Sequence, residues 1–447
     1  MIELREPRIY AAARHSTGAG AIIGAAPGVR PVRLALLGLG NVGQAVVRLL
    51  ADETDRLRAT GALPRLVAAL LRDPRRPRAC RLPDGCVVTA DPTALLAQRP
   101  DVVIDVLPDA ASAAPIVAEA LRRGISVVSA NKALIAAHGA ALAEIADRHG
   151  AALQYEAAVI AGVPFVETLR RRPLARRATR LCGILNGTSN YVLSEVERGS
   201  GFDEALESTV RLGYAEPDAT RDLSGADAAD KLVILARLLG LGELQPAGIE
   251  RSGVDSLDPA DFVAARAVGG VIRPLAFAAA ADVGIETFVG PGWLPAEHAL
   301  ARVRNADNGL LLDGPGGRLL FAGPGAGPEA TAATLIDDAL DLLRAPHDGG
   351  VAAAAPSQPG AAPLTGWLLR VGLPTDAPSW SDLCDLLAAY GVWPLRTHVL
   401  RGAVEERRYL LTTPCRRADI EAAGAHLEAL GYEATALRAL EATDDAA

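Results

Sequence analysis

The sequence predicts an α/β protein of three folded units: a Rossmann-type parallel-sheet unit, a mixed α+β unit, and a small βαββαβ unit of ferredoxin-like order. Three observations predict it. Short apolar runs alternate with helical patterns over 31–150, as in successive βαβ units. The first of those runs ends in Gly38-Leu39-Gly40-Asn41-Val42-Gly43, and a helical pattern follows it. Beyond 364 the order reads strand, helix, strand, strand, helix, strand. A length of 447 residues, at about 150 per domain, agrees with two or three domains.

Residues 1–30 carry Arg5, Arg8 and Arg14 among glycine-rich turns. They lack an apolar stretch followed by a cleavage site and read as a flexible extension. The first strand starts near Val32, and Val46, Val47, Leu49 and Leu50 mark the helix after the glycine turn. A second apolar run covers 63–71. A third, 101–107, is bounded by Pro100 and Pro108; a helix at 114–123 leads to a fourth run, 125–129. From 151 to 329 clean βα repeats give way to strand-like runs at 181–185, 274–280, 309–312 and 318–322, with a helix at 227–239. Residues 330–345 are expected to pack back on the first unit. Ala, Pro and Gly dominate 346–363, which reads as a linker. The third unit, 364–440, has strands at 367–373, 392–399, 406–412 and 432–439 and helices at 379–390 and 417–430.

Composition excludes several classes. A formal charge of −8 gives no support to non-specific nucleic-acid binding. No apolar stretch approaches the roughly 18 residues of a membrane span. Five scattered cysteines without CxxC pairs suggest reduced thiols in a cytoplasmic protein. Lysine is nearly absent: of 45 basic residues only Lys132 and Lys231 are lysines. Arginine serves wherever a permanent surface cation suffices, so a surviving lysine reads either as a place where a compact ammonium with a shiftable pKa is needed or as chance.

The chemistry sits in a few segments. In the glycine turn, Gly38 permits the tight bend, Gly40 lets backbone approach a pyrophosphate, and Gly43 lets helix and strand pack closely. Phosphate oxygens then meet the helix N-terminus at Asn41 and Val42. After the second run comes Leu71-Arg72-Asp73, with more arginines behind it. Arg72 suits a 2′-phosphate and favours NADP over NAD, with a solvated basic loop as the other reading. Ser129-Ala130-Asn131-Lys132 follows the fourth run, at the strand ends where ligands of such sheets bind. Asn186-Gly187-Thr188-Ser189-Asn190 reads either as a turn with a helix cap or as a polar site. The densest segment, 212–231, holds Glu216, Asp222, Asp227 and Lys231. Ser224 and Asp227 have capping-box spacing, and Asp227 and Lys231 stand i, i+4 on one face. This is a cap with an exposed ion pair, or a carboxylate holding a proton donor.

Taken together these strings resemble the homoserine dehydrogenase family: GLGNVG (38–43), SANKALIAAHG (129–139), EAAVIAGVP (156–164), GILNGTSNY (183–191), LGYAEPDATRDLSGADAADKL (212–232) and FAGPGAGPEATA (321–332). The resemblance spans about 32–345 and is most specific over 183–232. It implies NAD(P)-dependent interconversion of L-homoserine and L-aspartate 4-semialdehyde in threonine and methionine biosynthesis. Lys231 would donate the proton, with Asp227 holding the substrate hydroxyl or Lys231 itself. Glu216 would bind the substrate amino group and Asp222 would support the pocket. Lys132 would lie between cofactor and substrate, and Gly213, Gly325 and Gly327 would line the cofactor. A monovalent cation such as Na+ would sit on the carbonyls of Glu156, Val159, Ala161 and Val163, with the Glu156 side chain as a further ligand. A homodimer or homotetramer is implied. The last unit resembles an ACT domain, with effector sensing and dimerisation both open. Leu107-Pro108-Asp109, where the family has a glycine pair, leaves room for the same chemistry on another amino or hydroxy acid. A catalytically silent, cofactor-binding regulator is the third reading.

Overall fold

The computed structural model describes residues 30–73, 75–76, 78–172, 176–215, 218–280, 284–344, 365–374, 379–402 and 405–441. The expected extension before residue 30 and the linker 346–363 lie outside the described residues, as does Glu216.

The first unit runs β1 (Arg30–Leu37), α1 (Asn41–Asp52), α2 (Thr54–Ala59), β2 (Ala62–Leu70), β3 (Val87–Thr89), α3 (Pro92–Leu96), β4 (Val102–Asp105), α4 (Ala110–Arg122), β5 (Ser126–Ser129), α5 (Lys132–His149) and β6 (Leu153–Gln154). The strands form one parallel sheet, β3-β2-β1-β4-β5-β6. Strand order reverses beside β1, which opens a crevice at the strands' carboxyl ends. The run expected as the third strand is the fourth. β3 and β6 have three and two residues, too few for periodicity to register. Both faces of the sheet are covered, as parallel sheets require: Ala35 and Leu37 join one core, Leu34 and Leu36 the other.

The second unit contains α6 (Val166–Arg171), β7 (Arg180–Ile184), α7 (Gly187–Arg198), α8 (Phe202–Arg211), α9 (Thr220–Leu223), α10 (Ala226–Leu239), α11 (Pro259–Ala267), β8 (Gly270–Ala280), β9 (Ile285–Pro295), β10 (Asp307–Gly314), β11 (Gly317–Pro324) and α12 (Pro328–Arg344). β8 begins four residues before the expected run, and β9 was not expected at all. Its Gly290-Pro291-Gly292 reads against a strand. α12 returns to the first unit, placing Leu335, Ile336 and Leu340 in the core with Val46 and Val47 of α1. α10 is buried nearly all round, so this helix is central to the core.

The third unit follows βαββαβ order: β12 (Gly366–Pro374), α13 (Trp380–Ala388), β13 (Pro394–Arg401), β14 (Glu405–Thr412), α14 (Arg417–Ala429) and β15 (Glu433–Ala439). Its sheet, β15-β12-β14-β13, does not stand alone. β15 pairs in parallel with β9 through Arg438 and Ala439, making one nine-stranded sheet, β11-β10-β7-β8-β9-β15-β12-β14-β13. The junction is dense. Leu368, Tyr409 and Leu411 share a core with Phe262 and Ala265 of α11. Arg370 Nη1 lies 2.8 Å from the buried Asp261 carboxylate, which also accepts the Tyr409 hydroxyl at 3.0 Å. Arg438 pairs with Glu286 and Glu250 and lies over both the Phe288 and Trp367 rings. Among the described residues no helix is long and apolar enough to cross a membrane.

Candidate active site

Three elements converge where the first and second units meet. β7 ends at Ile184, and Leu185 and Asn186 carry the chain into α7 with Asn186 as its N-cap. α10 places Asp227 in its first turn and Lys231 one turn later, and α5 begins with Lys132. Asp227 is buried. Its Oδ1 lies 2.8 Å from Lys132 Nζ and its Oδ2 lies 3.0 Å from Lys231 Nζ. Lys231 Nζ also donates to the Leu185 carbonyl at 2.7 Å. The two lysines of the chain therefore hold the two oxygens of one carboxylate. Lys231 is nearly enclosed, with 9% of its side chain exposed, whereas Lys132 keeps 39% and faces the crevice.

The reading of Ser224 and Asp227 as a capping box does not hold. Gly225 is the N-cap residue of α10, with φ at +76°, and no side chain caps the helix. A residue with a Cβ is strained at that φ. Asp227 is thereby released from capping and turns to the lysines. The ion pair is buried, so the exposed-pair reading of the same spacing is also set aside.

Asn186 Nδ2 donates to Asp222 Oδ1 at 2.7 Å and to Asp227 Oδ2 at 2.9 Å. Asp230, also buried, pairs with Arg221 at 2.7 Å. Neither set of partners was legible in the sequence. The only hints were the clustered asparagines and the acid beside Lys231. Burial opposes the charge on Asp227, but the Lys231 and Lys132 ammoniums, aided by hydrogen bonds from Lys132 and Asn186, outweigh it and hold the carboxyl well below its usual range. In return Asp227 raises the Lys132 pKa above that of an ordinary lysine. At Asp222 the same lysines and the Asn186 hydrogen bond favour the charge but do not prevail. Burial, then the charge of Asp227, raise its pKa.

On the cofactor side, Gly38 has φ at +100° and donates its N–H to Leu70. A Cβ on Gly43 would lie 2.4 Å from the Gly38 carbonyl, so helix and turn meet too closely for any side chain. Around Gly40 no atom lies within 4 Å of such a Cβ, leaving backbone open to a ligand. Asn41 and Val42 open α1, with Gly40 as N-cap. Arg72 is exposed just past the end of β2. These residues fit a dinucleotide. Gly213 is exposed after α8 at φ +79°, while Gly325 and Gly327 lie between β11 and α12, Gly327 at φ +129°. Under the crevice, buried Asp105 accepts Ser129 Oγ at 2.8 Å, and Ser129 Oγ accepts the Asn131 N–H at 3.0 Å. Asn131 is the N-cap of α5, so this chain ends at Lys132. Asp109, in the loop that departs from the family pattern, is the N-cap of α4.

For the cation, the Glu156 carboxylate is committed elsewhere. It accepts the N–H groups of Phe165, Val166 and Glu167 at 2.8–3.0 Å, closing the start of α6. Those three bonds already occupy both of its oxygens. The Ala161 carbonyl already accepts the Thr334 hydroxyl. Val159 and Val163 are buried beside it, and among the described residues no group of three or more acidic, His or Cys side chains forms a metal site.

A parallel sheet with an open glycine turn, meeting an acid gripped by two ammoniums, fits a dinucleotide-dependent oxidoreductase. Comparison with known proteins narrows the class. The model of the homoserine dehydrogenase NAD-binding domain matches 38–156, and that of the homoserine dehydrogenase domain matches 164–340. A homoserine dehydrogenase of Synechocystis sp. is 35% identical over 70% of this chain and 73% of its own. The crystal structure of a homoserine dehydrogenase from Thiobacillus denitrificans superposes with a TM-score of 0.82 at 31% identity, covering 92% of this chain and 99% of that one. A hyperthermophilic archaeal homoserine dehydrogenase in complex with NADPH shares the fold, with a TM-score of 0.60 at 24% identity over 70% of this chain and 98% of that one. The chain belongs to the homoserine dehydrogenase family.

Proposed function

We propose that the cluster around Asp227 is where L-homoserine and L-aspartate 4-semialdehyde are interconverted. The observation that carries this is the shared grip of Lys132 and Lys231 on one buried carboxylate. A bound nicotinamide supplies or accepts the hydride. As an aldehyde is reduced, negative charge builds on its oxygen, and an ammonium beside it stabilises that charge and gives up a proton. Leu185 and Asp227 take two of the three donors of Lys231, leaving the third for a substrate oxygen. Asp227 fixes both ammoniums and favours the charged form of Lys132. Lys132, more open, stands at the junction with the cofactor. Asp222 supports the pocket from α9, and Glu216, just before it in sequence, binds the substrate amino group.

The cofactor is a nicotinamide dinucleotide, and Arg72 favours NADP; NAD is the alternative. Gly38, Gly40, Gly43, Gly213, Gly325 and Gly327 line it. A monovalent cation is held by the carbonyls of Glu156, Val159, Ala161 and Val163. The chain works as a homodimer or homotetramer, which agrees with the exposed Leu319 and Leu320 on the edge strand β11. It works in the cytoplasm, in keeping with five free cysteines. The βαββαβ unit is ACT-like. The decisive experiment is a steady-state panel of homoserine against NADP and NAD. Turnover of a hydroxy acid of another length, with none of homoserine, would favour the different-substrate reading. NADPH binding without any turnover would favour the silent regulator.

A further inference from the structure

We propose that Asn186 is a positioning residue that sets the geometry and charge of the Asp227–lysine cluster, a role that rests on the reading of that cluster as the reacting site. As N-cap of α7 it needs only an acceptor: its Oδ1 takes the Ser189 N–H at 2.8 Å. Asp or Ser would cap a helix equally well, so capping does not explain the amide. The two amide hydrogens explain it. They go to Asp222 Oδ1 and Asp227 Oδ2, at 2.7 and 2.9 Å. All three bonds fix the orientation, since a flipped amide would set an oxygen against two carboxylates. Asn186 is also buried, so its donors are not shared with bulk water.

Leu185 and Asn186 act in sequence. The Leu185 carbonyl holds Lys231 Nζ, and the next side chain holds the acid that holds the same nitrogen. A single step of backbone therefore sets both partners of the proposed proton donor. The amide also lets two acids stand close together, because it donates to the ionised form of each. The charged groups facing this point are Lys132 on α5, Arg221 and Asp222 on α9, and Asp227, Asp230 and Lys231 on α10, with Arg251 acting on Asp230. A third carboxylate in place of the amide removes both donors and adds a like charge to this set.

The test compares Asn186→Asp, which keeps the cap acceptor, with Asn186→Ala, which removes both functions. With homoserine and NADP, kcat is expected to fall about 10- to 100-fold in each, as for a displaced reacting group. The acid limb of the kcat–pH profile is expected to move to higher pH, further in Asn186→Asp. A second readout needs no turnover. With ε-13C-lysine the protein gives two lysine resonances, assigned with Lys132→Met. Both are expected to move at neutral pH in Asn186→Asp, in a protein that still unfolds in one cooperative transition. Lysine resonances and a pH profile that superpose on the parent's would overturn the proposal. If the parent itself fails to oxidise homoserine, the functional reading fails, and the resonances still decide the role of Asn186.

Discussion

Replacing Lys231 by Met removes the ammonium and keeps most of the stem's volume. In the parent, Lys231 Nζ holds the Leu185 carbonyl at 2.7 Å and Asp227 Oδ2 at 3.0 Å. The substitution does not orphan the acid. Asp227 keeps Lys132 at 2.8 Å on one oxygen and Asn186 at 2.9 Å on the other. What it loses is the donor to a buried carbonyl, worth about 1–3 kcal/mol of stability. The rate loss is expected to be larger. A positioned general acid contributes about 10²–10⁴-fold, which at about 1.4 kcal/mol per decade is roughly 3–5 kcal/mol of barrier. The assay is NADP-linked turnover at saturating homoserine, with NADPH affinity measured separately by fluorescence. Activity is expected to collapse while NADPH binding survives. A folded Lys231→Met protein that retains kcat within tenfold of the parent would refute Lys231 as proton donor.

Other perturbations have equally defined outcomes. Burial raises the Asp105 pKa from 3.8 to about 6, although Leu107 N–H and Ser129 oppose it. A carboxyl whose folded pKa is raised favours the folded state below its unfolded pKa, and that contribution is lost as pH rises from about 4 to about 6. The loss is about 3 kcal/mol at about 1.4 kcal/mol per decade. Asp105→Asn is therefore expected to gain stability relative to the parent between those pH values, measured by urea denaturation. Arg72→Glu is expected to raise KM for NADP about 10- to 100-fold, the worth of one charged hydrogen bond, with little change for NAD in the same assay. Arg370→Met leaves the buried Asp261 with the Tyr409 hydroxyl and the Asp258 N–H as its partners among the described residues. A loss of about 3 kcal/mol is expected, read by hydrogen exchange concentrated in β12, β14 and α11.

Much of the fold was legible because its signals are local. The alternating runs of the first unit and the six elements after 364 carry their periods over many residues. β9 was not legible, since two glycines and two prolines mask an eleven-residue strand whose pairing with β8 overrides local preference. The cap of α10 was misread for a related reason. Ser224 has the right side chain, but the chain bends at Gly225. Within the site, lysine scarcity marked Lys132 and Lys231 without any coordinates. What it left open was that both meet the same acid, because Lys132 and Asp227 are 95 residues apart and only the packing of α5 against α10 joins them. The bridge from Asn186 to Asp222 and Asp227 is equally non-local.

The parallel pairing of β15 with β9 bears on how the molecule is made. Gly292 and its partner Arg438 are separated by 146 residues. As the chain leaves the ribosome, β9 is complete long before the strand that covers its free side exists. Until then its Gly292–Trp293 end, beyond the bridge from Arg251 to Val289, presents unpaired N–H and C=O groups, a template for pairing with a neighbouring chain. A nascent chain stalled or cut before β15 would keep that edge open, so such fragments would be prone to aggregate even with every residue of the Asp227 cluster already in place.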